Sequence, residues 1–201
     1  MQNNFTLMNQ FYLLITGIFI CSLLACESEY TSMVKAEMAS GEIHEDLLFG
    51  MKVGQTKKEF FDTCWKLNKE KKISQGTGNQ YAKFYTTLDS TASIPQNVEI
   101  LFYGIFDSLE VMQGMDMKVS YVAWAPWNKK YHSPVLVENL QDYYLEMYGG
   151  NPFIEIDINE EVKAYAKVDG NRQLLIYPMD NKEVRVKWED LRTRKGFAQY
   201  Q

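Results

Sequence analysis

The chain has 201 residues, 46% of them hydrophobic, and 26 acidic against 21 basic side chains give it a formal net charge of −5. An acidic balance without a long basic block argues against nucleic acid as a partner, because a phosphate-binding protein shows a basic face. Two histidines and three cysteines that form no Cys/His cluster leave a transition-metal site little to build on.

From Phe11 to Ala25 the sequence FYLLITGIFICSLLA carries no charge. This run is shorter than the ~20 residues a bilayer-spanning helix needs and fits the apolar core of a secretory signal, with Ala25 as a small cleavage-site residue. The residues Leu23-Leu24-Ala25-Cys26 resemble the lipobox of bacterial lipoproteins. That resemblance implies a diacylglycerol on the Cys26 thiol, removal of residues 1–25 as a signal peptide, and anchoring in the cell envelope at the outer membrane. The segment before the apolar core departs from the pattern, having no Lys or Arg in its first ten residues. With Cys21 removed and Cys26 acylated, Cys64 stands alone, so no intrachain disulfide is expected and Cys64 reads as a small buried hydrophobe.

Residues 26–46 are polar, begin Glu27-Ser28-Glu29 after the cysteine and show no clear period, so they read as a flexible tether. Acidic residues at that place resemble the surface-export signals of some Bacteroidota lipoproteins, and a solvated acidic linker is the favoured account of the same residues. The remaining residues 47–201 are expected to form one α+β domain in two halves, about 47–125 and 126–201.

In the first half Thr56-Lys57-Lys58-Glu59 is a capping-box pattern, and it predicts a helix to about Lys71 with Phe60, Phe61, Cys64 and Leu67 as its apolar stripe. Trp65 flanks that stripe. Strands are predicted over 81–87, 98–106 and 115–124, the last with Met115, Met117, Val119, Tyr121 and Ala123 on one face. In the second half Ser133 as N-cap and Pro134 after it predict a helix that ends at Gly149-Gly150, with Leu136, Leu140, Tyr143 and Met147 inward. Strands follow over 153–158, 162–168, 172–177 and 184–188, with Asp169-Gly170-Asn171 as a hairpin turn. Each half thus reads as a helix and then antiparallel strands sharing one core, with matching element order but no sequence repeat.

The entry Phe49-Gly50-Met51 before a Thr56-capped helix resembles small envelope lipoproteins such as the accessory subunit of the β-barrel assembly machine. The doubled order resembles the tandem αβ layout of β-lactamase inhibitor proteins. The segments FGMKVGQTKKEFFDTCWKLNK, SYVAWAPWNK and KVDGNRQLLIY are similar to an uncharacterised family of Bacteroidota lipoproteins, which implies one mature domain and no particular chemistry.

For a site, the junction from Trp124 to His132 concentrates Trp124, Trp127, Tyr131 and His132, the residue types that anchor a sugar, peptide or protein surface. The competing reading makes Trp124 the end of a core strand and Trp127 a plug between the halves. Glu155, Asp157, Glu160 and Glu161 offer paired carboxylates, yet Glu155 and Asp157 alternate with isoleucines as the wet face of a strand does. Gly76-Thr77-Gly78 lacks the helix opening of a phosphate cradle, and Ser133 beside His132 is better explained as a cap than as a nucleophile. The cluster Arg192-Thr193-Arg194-Lys195 reads as a solvated tail or as a contact to anionic headgroups. No catalytic motif, cofactor site or metal site is expected. The expectation is a non-enzymatic, lipid-anchored envelope protein that binds or assembles with another protein. The alternatives are carbohydrate or peptide capture at Trp124/Trp127, and an enzyme of unrecognised type.

Overall fold

Strands β1 (Ser74–Gln75), β2 (Ala82–Thr87), β3 (Asn97–Phe106) and β4 (Met112–Tyr121) come from the first half, and β5 (Ile154–Asp157), β6 (Lys163–Asp169), β7 (Arg172–Pro178) and β8 (Val184–Asp190) from the second. They join in one eight-stranded sheet of order β1-β2-β3-β4-β8-β7-β6-β5, antiparallel throughout. The α-helices among the described residues are α1 (Glu29–Ser40), α2 (Lys57–Lys69) and α3 (Ser133–Tyr148). The fold is α+β. This computed structural model describes residues 27–88, 96–159 and 162–194; Cys26 and the stretch before it, Glu160, Glu161 and Lys195 lie outside the described residues.

The period-two pattern of β4 sets the core. Met115, Met117, Val119 and Tyr121 are all buried, as their spacing predicts, whereas Ala123 lies past the strand and is exposed. The register carries this face across both halves: Met117 lies between Phe102 and Val186, and Met115 stands opposite Trp188, which stands opposite Leu174. One continuous apolar surface results, and α2 and α3 cover it, Phe60 against Phe102 and the Tyr144 hydroxyl against the Met117 sulfur at 3.7 Å. A sheet face so apolar has to be covered by another layer, which is why both helices lie on the same side.

The helix starts repeat a single device. Thr56 and Glu59 form the reciprocal capping box, and the neighbouring Lys57 amide donates to the Glu110 carbonyl at 2.8 Å, in the turn between β3 and β4. In the second half the Ser133 amide donates to the Asn181 carbonyl at 3.1 Å and its hydroxyl to the Asp180 carbonyl, in the turn between β7 and β8. Each turn is itself held by an aspartate: Asp107 accepts from the Leu109 and Val111 amides, and Asp180 from the Lys182 and Glu183 amides. The halves are therefore related in structure, about the β4–β8 seam, where the sequence shows only a common order.

Three local expectations are corrected. Ser133 is not the N-cap of α3: His132 holds that position without a side-chain cap, because the Ser133 hydroxyl is committed to the β7–β8 turn. The inward stripe of α3 is Leu136, Val137, Leu140 and Tyr144, with Tyr143 half-buried and Met147 exposed, since a helix lying across the seam turns a slightly different face to the sheet. In α2 Phe60 and Leu67 are buried, but Phe61 is 49% exposed.

The flexible tether expected over 26–46 is also corrected. Ser28 accepts from the Thr31 amide to start α1, and Gly41, at φ 73°, ends it. Its only buried residues are Val34 and Met38, one turn apart, which pack on Val168 and Leu191. So narrow a stripe leaves almost no periodic signal in the sequence. Polar contacts complete the docking: Glu37 accepts from the Gly170 amide at 2.8 Å and from Asn151 at 2.6 Å, and the Tyr30 hydroxyl donates to Gln173. Val168 and Gln173 pair with each other on the sheet face opposite Leu174, so α1 lies on the other side of the sheet from α2 and α3.

Beneath the end of α3 three charges are buried together, Lys167 at 0%, Asp169 at 6% and Arg172 at 6% exposure. Asp169 accepts from Lys167 at 2.9 Å, from Arg172 at 3.0 Å and from the Asn151 amide at 2.9 Å. Lys167 also donates to the Asn151 carbonyl, and the Arg172 guanidinium stacks on Tyr148 at 4.1 Å. Burial pushes the Asp169 carboxyl up, but these donors outweigh it and hold it below the usual aspartate range.

Candidate functional site

Helix α2 buries one side and leaves a second, aromatic side uncovered. Phe61 and Trp65, 65% exposed, stand beside Cys64 and Asn68 on the wall of a groove of about 630 Å³. Its other wall is β1 with Tyr81, Ala82 and Tyr103. The rings form a chain: Phe61 lies 5.4 Å from Phe60 and 6.3 Å from Tyr103, which lies 6.4 Å from Tyr81. Two ammonium groups sit over the rim, Lys69 5.3 Å from the Trp65 ring and Lys118 5.2 Å from the Tyr81 ring. Exposed aromatics of this kind favour recognition, because they offer large area at little conformational cost.

The groove's chemistry is apolar. Burial pushes the Cys64 thiol up to about 11, so it stays protonated and unreactive near neutral pH. Asp62 is occupied by Lys58 at 2.6 Å. Sequence reasoning placed Phe61 and Cys64 in the core and treated Trp65 as a flank, and so missed this site. The signal available was an apolar stripe too wide for one buried face: five large or apolar groups at 60, 61, 64, 65 and 67.

Past β1 a smaller hollow of about 400 Å³ shares Asn68, Ile73 and Ser74 with the groove and is lined also by Lys71, Lys72, Lys83, Phe84 and Tyr85. No family model matches the chain, and neither the curated proteins nor the solved structures contain a significant match.

Of the residues singled out in the sequence, Trp124, Tyr131 and His132 come together and Trp127 does not join them. Trp124 is half-buried, donates to the Asn181 carbonyl at 3.2 Å and lies 6.2 Å from the His132 ring. His132 has its Nε2 3.2 Å from the Ala125 carbonyl, and Tyr131 packs edge-on to Tyr121 at 5.2 Å. These contacts fasten the junction between the halves. Trp127 is 86% exposed, so it does not plug that junction.

Of the β5 carboxylates, Glu155 bonds to Lys163 and to the Tyr165 hydroxyl, and Asp157 is exposed on the wet face of the strand. Among the described residues no three His, Cys, Asp or Glu side chains are grouped to hold a metal ion. Arg192 is bound by Asp190 at 2.6 Å and by Glu45 at 3.5 Å, while Arg194 reaches Tyr30 and Gln173. The described part of the C-terminal cluster is therefore folded against the body and is not a solvated tail. Among the described residues no helix is long and apolar enough to cross a membrane.

Proposed function

We propose that this chain is a lipid-anchored protein of the cell envelope, held at the outer membrane through Cys26, whose α+β domain binds another protein through the α2 groove. The observation that carries the binding reading is the exposure of Phe61 and Trp65 along an apolar groove of about 630 Å³. Folded domains rarely leave contiguous large apolar side chains open to water unless something covers them in use. The anchoring reading is supported by Leu23-Leu24-Ala25-Cys26 and by the apolar run before it.

Two measurements test the reading separately. Mass spectrometry of the membrane-extracted N-terminal peptide should find acylated Cys26 as the first residue, and an intact chain beginning at Met1 defeats the anchoring. Cross-linking in native membranes followed by pull-down should recover a stoichiometric partner with the wild type and lose it with Phe61→Ala/Trp65→Ala. Phe61 is 49% and Trp65 65% exposed, circular dichroism checks that the double variant keeps its fold, and unchanged capture defeats the groove.

A second reading, carbohydrate or peptide capture at the junction loop, is favoured by the 86% exposure of Trp127. It predicts that a glycan or peptide library quenches tryptophan emission and that Trp127→Ala abolishes the quenching. Quenching that survives this substitution removes the reading.

A further inference from the structure

The hollow beside β1 has an unfinished sheet edge for its wall. β1 pairs with β2 at two positions only, Ser74 with Lys83 and Gln75 with Ala82. The remaining length of β2, residues 84–87, has no strand beyond it among the described residues. In an antiparallel strand the N–H and C=O of one residue point to the same side, and alternate residues share a side. The Gly76 amide donates to the Tyr81 carbonyl at 2.8 Å, so residues 81, 83, 85 and 87 direct their backbone groups outward. Tyr85 and Thr87 therefore present donors and acceptors to a neighbour that no strand among the described residues supplies.

The edge ends because the chain just before β1 is committed to the end of α2. The Lys72 amide donates to the Leu67 carbonyl at 3.0 Å, Asn68 donates to the Ile73 carbonyl at 3.3 Å, and Lys71 takes a left-handed φ of 59°. What is left beside Phe84 and Tyr85 is the hollow of about 400 Å³, ringed by Lys71, Lys72 and Lys83, of which Lys72 lies 2.8 Å from Glu70 and Lys83 3.5 Å from Glu99.

Its charge selects the occupant. Residues 57–83 hold seven lysines against three carboxylates, in a chain whose net charge is −5. Lysines on an edge discourage pairing with a like edge, so a second copy would set lysine against lysine. The same lysines attract a strand of opposite sign. Resting on the partner-binding reading of the groove, we infer that the bound segment is an extended, acidic stretch of the partner protein that adds a strand to β2 at residues 84–87. Its carboxylates face Lys71 and compete with Glu70 and Glu99 for the exposed sides of Lys72 and Lys83, and an apolar side chain crosses the shared wall of Asn68, Ile73 and Ser74 toward Phe61 and Trp65. In this mode main-chain hydrogen bonds supply affinity, and the charges and the apolar anchor supply selectivity.

The test uses the full chain in a nonionic detergent and a fluorescein-labelled decapeptide of alternating Glu and Val ending in Phe, with a Lys-for-Glu counterpart. The acidic peptide should bind, the lysine peptide should not, and Lys71→Glu/Lys72→Glu should weaken the acidic peptide by about tenfold or more. Hydrogen exchange at the Tyr85 and Thr87 amides should slow when the acidic peptide is present, which a merely electrostatic contact would not produce. The inference is overturned by equal binding of both peptides, by no binding up to about 1 mM, or by binding that leaves those two amides unprotected. If Phe61→Ala/Trp65→Ala loses partner capture in membranes while Lys71→Glu/Lys72→Glu retains it, strand addition fails and the groove reading stands. If capture survives Phe61→Ala/Trp65→Ala, the groove reading fails.

Discussion

Asp169→Asn and Lys167→Met should have very unequal effects on stability, although the two residues bond to each other. Asp169 is the single acceptor shared by two buried cations and by the Asn151 amide, and it is 6% exposed. Asparagine keeps the shape but removes the charge, leaving Lys167 and Arg172 facing each other without an anion. Breaking a buried pair in this way costs about 3–5 kcal/mol. Lys167→Met removes one cation and the donor to the Asn151 carbonyl but leaves Asp169 bonded to Arg172 and to the Asn151 amide, so the anion stays paired and a change of about 1 kcal/mol or less is expected.

Urea titration of the full chain in nonionic detergent reads both. With a slope of about 2 kcal/mol per molar for a domain of this size, Asp169→Asn should lower the midpoint by about 2 M and Lys167→Met by less than about 0.5 M. The pH dependence carries the same sign. The folded-state pKa of Asp169 is lowered, so its contribution is complete above the unfolded value near 3.8 and is lost as pH falls through the folded value. The wild type should therefore lose stability below about pH 4 more steeply than Asp169→Asn does. Equal midpoints for the two variants, or an Asp169→Asn shift under about 0.5 M, would refute the account of the cluster.

A Cβ added at Gly114 overlaps the Trp188 carbonyl oxygen across the β4–β8 seam, so Gly114→Ala should destabilise by about 1–3 kcal/mol in the same titration, and a neutral result would mean the seam is loose. Thr56→Ala, which removes the side-chain acceptor of the α2 capping box, should cost about 1 kcal/mol, and no loss would mean that the turn at Glu110 alone holds the helix start. With its thiol near 11, Cys64 should react with iodoacetamide at pH 8 about a hundredfold or more slower than a free cysteine, and a rate within threefold of the free thiol would place it in water.

Much of the architecture was legible because it is written in short-range chemistry. The capping box at Thr56 and Glu59, the period-two run of β4 and the turn at Gly170-Asn171 each fix a local conformation by themselves. What was not legible depends on contacts distant in sequence. Helix α1 is held by two apolar residues and by side chains reaching Asn151, Gly170 and Gln173, more than a hundred positions away. Ser133 has the residue type of an N-cap, and only the approach of Asp180 diverts its hydroxyl. The candidate groove was hidden for a related reason. A Phe or Trp on a helix reads as core, and the sheet is too narrow at β1, two residues long, to cover Phe61 and Trp65 as well as Phe60.

The position of α1 bears on how an anchored molecule would meet its partner. Glu29 begins α1 three residues after Cys26, a span of at most about 10 Å. With Cys26 acylated, the first turn of α1 is kept close to the bilayer surface, with no long tether to let the domain roam. The groove of α2 is on the opposite face of the sheet from α1; if the anchored domain rests on its α1 face, the groove opens toward the aqueous side. Brominated acyl chains in the host vesicles should then quench the emission of wild type and Trp65→Phe equally, because Trp65 stays out of reach of the hydrocarbon. A bromine-dependent loss of signal that disappears with Trp65→Phe would place the α2 aromatics in the membrane and turn the geometry of anchoring around.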